Sequence, residues 1–425
     1  MSFRVTPPLC LVDHQHYVFK VNDSLQMKSV HQDLKSELYE TKSIGSISIT
    51  IHEQLCDIES AWRALEKTGI CSAYQRYDWV QTWVETVAAS KGMFPRLVIG
   101  VCGKNTQFIF PLGLVRRGPL TLVRWLGDSH SNFFMGLVDK SFATTVQRED
   151  MRTLFDGILS QLGLIDMVEL SCQPRLWQGV QNPLALLPSR ESNNHAYALD
   201  ISEGFDKALD RKNRARKRKK FRWQQNKVAK YGGASLRVAN TDEDVDKVID
   251  IAFSQMAIRL GQAGIVNRFS GNSIDLFVRK LAKRSLGKKE PHLLLFSLEI
   301  GGKVRATLAG GVFDKQFSGC FLSYSQDELA YISPGEMIIY MALEECVKRK
   351  LSIFDLGRGE ERYKSSWCDT TIELFETRQA MTALGKAYLA CQNGKLELKR
   401  IIRRNDTLWS MAKSVRATFL GRKSG

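Results

Sequence analysis

Residues 333–367 read SPGEMIIYMALEECVKRKLSIFDLGRGEERYKSSW. The segment opens with the marks of a helix start. Ser333 is a capping residue, Pro334 suits the first helical position, and Glu336 stands three places on to complete a capping box. Gly335 leaves the first turn bare, so a backbone or a ligand can approach closely. After the helix, the apolar run Leu351–Leu356 predicts a buried strand that ends in Asp355. A polar loop then carries Arg358, Glu360, Glu361, Tyr363, Lys364 and Trp367. Free N–H groups and the helix dipole at such a start favour an anion such as a phosphate. The same pattern also serves an ordinary β–α–β crossover.

The chain has 425 residues, enough for two domains with sizeable cores. No apolar run is long enough to span a bilayer, and the first twenty residues, broken by Pro7, Pro8 and Asp13, do not predict a signal peptide. A cytoplasmic location is expected. The nine cysteines are scattered without a Cys-x-x-Cys pair, which argues against a disulfide framework, a zinc module and a metal site.

The net charge of +16 is concentrated in two places. Twelve Lys/Arg and no acid lie between Arg211 and Asn240, and nine Lys/Arg lie between Lys395 and Gly425. The rest of the chain is close to neutral.

Periodicity first tightens at Ile47, and residues 1–45 read as a loosely ordered leader. Strand, two helices, three strands, helix and strand follow up to Ser171, with Trp79 and Trp83 one turn apart on the second helix. From Ser235 the same order returns, including a hairpin at Gly301-Gly302 and a last strand over Thr371–Ala380. Repetition of element order predicts an internal duplication. The expected parts are 1–45 leader, 46–204 first domain, 205–232 basic linker helix, 233–382 second domain and 383–425 basic tail.

The residues Tyr324, Ser333-Pro334-Gly335, Asp355, Arg358-Gly359, Glu360, Tyr363-Lys364 and Trp367, in this order, resemble the GNAT acyltransferases, and more narrowly the CelD-type acetyltransferases of cellulose and exopolysaccharide synthesis. That group is related to the duplicated GNAT folds of Fem-type aminoacyl transferases. The Trp79/Trp83 helix and the basic Arg211–Arg222 helix also fit the resemblance, which covers about Ile47 to Ala380. It departs from the usual GNAT phosphate loop in having Gly335 where several glycines are normal.

The resemblance implies a mixed α/β (α+β) fold of two tandem GNAT-like domains joined by a basic helix. It implies acetyl-CoA, or another acyl-CoA, as co-substrate. The pantetheine arm would enter between the strands Phe317–Ser325 and Ser352–Leu356. Tyr324, Ser333, Pro334, Gly335 and Glu336 would form the coenzyme site.

Acyl transfer needs a base for the attacking amine or hydroxyl and an acid for the leaving thiolate. Asp355 is the base candidate with Glu360 as alternate, and Tyr363 is the acid candidate. Arg358, Lys364, Trp367, Asp128 and Asn132 are candidates for acceptor binding. Each has a plain reading too. Asp355 could partner Arg358 or a loop N–H, Tyr363 and Trp367 could pack as an amphipathic lid, and Asp128 and Asn132 could belong to a polar loop. His130, beside Asp128 and Ser129, makes no triad, and Gly-x-Ser-x-Gly is absent, so a hydrolase is not expected.

The basic helix reads either as a solvated linker or as a surface for an anionic substrate or membrane. Its two interleaved aromatics, Phe221 and Trp223, are too few to argue for single-stranded nucleic acid. The function expected is acyl transfer to a sugar or polysaccharide precursor in exopolysaccharide synthesis. The alternatives are a Fem-like aminoacyl-tRNA-dependent ligase and a non-catalytic subunit of a polysaccharide synthase.

Overall fold

The computed structural model describes the strand Tyr17–Val18 and residues 47–404. The expected leader, apart from Tyr17–Val18, and the end of the expected tail lie outside the described residues. The first half supplies strand β1 (Ile47–His52), helices α1 (Glu59–Thr68) and α2 (Tyr77–Trp83), strands β2 (Met93–Cys102), β3 (Asn105–Arg117) and β4 (Leu120–Trp125), helix α3 (Arg148–Gln161) and strand β5 (Met167–Pro174). Strand β6 (Ala196–Asp200) and helix α4 (Arg214–Val228) lead into the second half. That half has strand β7 (Ala234–Val238), helices α5 (Asp242–Gln262) and α6 (Asn272–Lys283), and strands β8 (Leu294–Ile300), β9 (Lys303–Phe313) and β10 (Gln316–Tyr324). Helix α7 (Pro334–Lys348), strand β11 (Ile353–Arg358), helix α8 (Arg362–Trp367), strands β12 (Thr370–Ile372) and β13 (Leu374–Ala380) and helix α9 (Ala383–Arg404) complete it.

The order strand, two helices, three strands, helix, strand therefore occurs twice, and the fold is mixed α/β with two GNAT-like units in tandem. Each unit has one parallel pair in an otherwise antiparallel sheet, β4 with β5 and β10 with β11. Each parallel pair is joined through a helix, α3 or α7, as a parallel crossover requires. The hairpin between β8 and β9 turns on Gly301 and Gly302, whose φ values of 61° and 71° are those of a type I′ turn.

The sheets exchange strands. The nine-stranded sheet runs β1-β2-β3-β4-β5-β13, with three two-residue strands at its margins, so it is extended by a strand from the end of the chain. The seven-stranded sheet runs β7-β8-β9-β10-β11-β6-β12, so β6 from the first half lies inside the second sheet. The single strand expected over Thr371–Ala380 is thus two, and the chain passes between sheets at Glu373, whose carbonyl accepts from the Arg175 N–H at 3.1 Å. The exchange pairs edges that would otherwise be exposed. β5 gains a partner over Met167–Pro174, and β11 gains one beside Ala196–Asp200. As a result the boundaries at 204 and 233 cut through shared sheets.

The two halves also share a core. Trp62, Trp79 and Trp83 are buried in one contiguous cluster with Val248, Ile249 and Phe277 of the second half. Trp79 meets Phe277 edge-on at 5.5 Å, a contact that contributes about 0.5–1.5 kcal/mol beyond its area. α2 continues as a π-helical turn over Val84–Ala88 instead of one regular helix to Ala88. Polar groups close this interface. His292 pairs with Asp78 at 2.8 Å, and Arg76 donates to the carbonyl of Val312 at 3.2 Å. The expected tail begins as a docked helix, with Tyr388 and Leu389 packed on Leu120, Leu122 and Met167.

Candidate active site

β10 and β11 are paired in parallel only from Gln316–Ser318 to Ile353–Asp355. Beyond that point β10 stays with β9 as far as Tyr324, and β11 stays with β6 as far as Arg358. Two loyalties pull the strands apart and leave a gap at their C-terminal ends. The first half reaches into its apex. Asn132 donates through Nδ2 to the Gly319 carbonyl at 2.6 Å, and the Tyr74 hydroxyl donates to the same oxygen at 2.8 Å. Gly357, at φ 74°, has no room for a Cβ because the Asn132 amide lies against it.

Asp355 is the third residue of β11 and not its last, and it is completely buried. Its carboxylate accepts from the Gly357 N–H at 2.6 Å. Burial pushes its pKa up to about 7, against the opposing pull of that N–H and of Lys364. Of the plain readings, the loop N–H partner is the one formed. Arg358 touches the Cys172 thiol instead.

The α7 start differs from the capping box expected of it. Ser333 sits at φ 60°, and its side chain caps nothing. Its carbonyl accepts from the N–H groups of Glu336 (3.0 Å) and Met337 (3.2 Å). Glu336 is turned away by α4, where Lys220 Nζ holds its carboxylate at 2.6 Å. The Gln224 amide of α4 donates to the Ile332 carbonyl at 2.6 Å. The local pattern is overridden because a nearby cation satisfies Glu336 better than a backbone N–H. Pro334 is buried at the first helical position, and Gly335 packs its bare Cα face on the Tyr324 ring, 3.0 Å from where a Cβ would stand.

After β11 the polar segment is partly helical. Lys364 is buried, and its amine meets the Arg358 carbonyl at 2.5 Å, the Gly357 carbonyl at 3.4 Å and Glu361 at 3.0 Å. All three of its donors are used, so it closes the strand end and is not open to an acceptor. Trp367 is also inside, in the core with Tyr340 at 6.4 Å between ring centroids, so its expected acceptor contact gives way to packing. Lys217 of α4 covers the Trp367 ring at 3.6 Å, and burial lowers its pKa to about 8.

Tyr363 is half-buried beside Tyr324 and Arg259, and desolvation raises its pKa far above the usual phenol value. Glu360 is exposed and accepts from the Tyr197 hydroxyl at 2.6 Å, which holds its pKa low. Asp128 lies 4.0 Å from Lys91. His130 is fixed as a neutral ring, accepting from Trp83 Nε1 at 3.2 Å and donating Nε2–H to the Arg268 carbonyl at 3.0 Å.

The structure thus gathers Asp355, Asn132, Tyr324, Gly335, Tyr363 and Arg358 around the gap. Tyr74, Tyr197, Arg259 and Arg268 join them, and the sequence reading had missed all four. No local signal marks Tyr74, whose partner Gly319 lies 245 residues away. A groove of about 710 Å³ lies elsewhere, between Phe205 and α4 and α7. Its three cations, Lys207, Arg218 and Arg222, stand among three acids, Glu203, Asp206 and Glu344.

Comparison with known proteins bears on the fold. Residues 215–365, from the first turn of α4 through most of α8, match the family model described as acetyltransferase (GNAT) domain. The basic helix therefore belongs to the matched unit. FemX is similar in structure, with a TM-score of 0.54 at 12% identity over 77% of this chain and 96% of that one. The C-terminal domain of a putative lysylphosphatidylglycerol synthetase from Agrobacterium fabrum gives 0.47 at 10% identity over 81% and 97%. A tandem GNAT protein from the clavulanic acid biosynthesis pathway gives 0.45 at 10% identity over 79% and 99%. At these identities the likeness concerns the fold. No curated protein matches the sequence. Among the described residues no helix is long and apolar enough to cross a membrane.

Proposed function

We propose that the chain transfers an acyl group from acetyl-CoA, or another acyl-CoA, to an amine or hydroxyl of a sugar or polysaccharide precursor in the cytoplasm. The observation that carries this reading is the parting of β10 from β11 beside the start of α7, inside the segment that matches an acetyltransferase domain. The coenzyme, when bound, supplies the activated thioester. The residues present fit such a donor. β10 presents an unpaired edge beyond Ser318, and Lys217 and Lys220 bring positive charge beside the α7 start. The negative charge of Glu336 there is offset by Lys220. The exopolysaccharide acceptor rests on the sequence resemblance alone.

Asp355, with a pKa near 7, suits a group that takes a proton at neutral pH. Glu360, held low by Tyr197, is the weaker base of the two. Tyr363, kept protonated by its burial, would give its proton to the departing thiolate. Asp355 is fully buried and bonded to the Gly357 N–H, against which Asn132 packs, so it acts once that contact yields or by orienting the strand end. Calorimetry with acetyl-CoA tests the reading, and no binding at millimolar concentration would remove it.

A Fem-like aminoacyl-tRNA-dependent ligase is the second reading. It is favoured by the seating of the basic helix α4 on the α7 start, where Arg216, Lys219 and Arg222 have no carboxylate partner among the described residues. A thermal shift with charged tRNA but none with acetyl-CoA would select it.

A further inference from the structure

Two arginines of the cleft between the halves have no carboxylate partner among the described residues. Arg268 stands on the turn after α5, and Arg358 ends β11. The loop from Asp128 to Phe134 runs between them. His130 of that loop donates to the Arg268 carbonyl at 3.0 Å, and Asn132 packs on Gly357, next to Arg358. The Phe134 N–H donates to the carbonyl of Cys172 at 3.1 Å, and the Cys172 thiol touches the Arg358 guanidinium. Partial burial of its head, and then the charge of Arg358, push the pKa of Arg268 below the usual arginine range.

Two like charges held together in a cleft repel unless something negative sits with them. The acids whose charge opposes this shift of Arg268 are Asp128 and Glu361. Each has a lysine of its own, Lys91 at 4.0 Å and Lys364 at 3.0 Å. Arginines elsewhere at this interface are matched. Arg76 pairs with Glu66 at 3.0 Å, and Arg284 pairs with Glu85 at 3.2 Å. The cleft arginines are a local excess of positive charge beside the gap, with planar donors that suit a two-oxygen acceptor.

We propose that Arg268 and Arg358 form the recognition site for an anionic group of the acyl acceptor, a phosphate or carboxylate carried on the molecule that presents the amine or hydroxyl. The word acceptor rests on the acyl-transfer reading, whereas the anion site itself does not. The cleft site is separate from the basic helix. α4 lies at the α7 start on the donor side, and the arginines lie on the side of the first half.

The test is calorimetry on the full chain with glucose 1-phosphate, glucuronate and neutral glucose, with acetyl-CoA titrated separately. One of the charged sugars should bind and glucose should not, and which one binds tells phosphate from carboxylate. Arg268→Gln, on an exposed turn, should weaken that binding about tenfold or more, as should Arg358→Gln, with partial rescue by Arg358→Lys. Acetyl-CoA affinity should be unchanged in all three. If acetyl-CoA fails to bind while a charged sugar binds through the arginines, the coenzyme reading falls and the anion site stands. Failure of both charged sugars to bind the wild type, or equal binding by Arg268→Gln, overturns the proposal. A parallel loss of acetyl-CoA affinity in the arginine variants also overturns it, because the pair would then serve the donor.

Discussion

The hydroxyl of Tyr74, in the first half of the chain, hydrogen-bonds the carbonyl of Gly319 in the second at 2.8 Å, at the point where β10 and β11 separate. Asn132 joins the same oxygen at 2.6 Å and also donates to the Tyr74 hydroxyl at 2.9 Å. A strand carbonyl that has lost its ladder partner is thereby satisfied by the opposite half. The apex of the gap is consequently built by both halves.

Tyr74→Phe and Asn132→Ala each remove one of two donors to Gly319. Each should lower stability by about 1 kcal/mol, and the double variant should lose more than the sum, since the last donor to a buried carbonyl would then be gone. Urea unfolding of the four proteins measures this. Additive losses would show that the two donors act independently.

The exchanged strands predict that the halves do not fold alone. A fragment of residues 46–204 lacks β13, and one of residues 233–382 lacks β6. Each should give a broad thermal transition by circular dichroism, and co-expression should restore a single cooperative one. A sharp transition in either isolated fragment would mean that the borrowed strand is dispensable.

Asp355 carries a pH signature. Its folded pKa of about 7 lies above the ordinary aspartate value of 3.8, so the folded state holds its proton more tightly than the unfolded state. The resulting stability is fully present below pH 3.8 and is lost as pH rises through about 7. Asp355→Asn should flatten that decline in melts taken across this range. It should also lower turnover about 10²-fold or more once an acceptor is known. An unchanged pH slope would place the titration elsewhere.

Gly335 is the position where a side chain would do most harm to the coenzyme reading. Gly335→Asp adds negative charge at the α7 start and crowds the Tyr324 ring at 3.0 Å. Acetyl-CoA affinity should fall at least tenfold, while Gly335→Ala, which shares the crowding without the charge, should lose less. Calorimetry on both variants separates charge from packing.

Much of the architecture was legible because it depends on local periodicity. The tryptophans at 79 and 83, the glycine pair at 301 and 302, and the Pro334 helix start lie where their spacing and turn chemistry put them. The repeated element order followed from the same signals. Strand pairing between distant segments leaves no such local mark. The run Thr371–Ala380 reads as one strand, and only the competing edges of β11–β6 and β5 divide it between two sheets.

The candidate site shows the same division. The sequence alone selected Asp355, Tyr363, Arg358 and Gly335, since residue chemistry next to a helix start is a short-range pattern. It could not say that Lys364 and Trp367 are turned inward, that Glu336 belongs to Lys220, or that Tyr74 reaches the gap. Those outcomes depend on which groups burial brings within hydrogen-bonding range. A buried donor or acceptor takes the partner that desolvation leaves it, and here that partner is often on the other half of the chain.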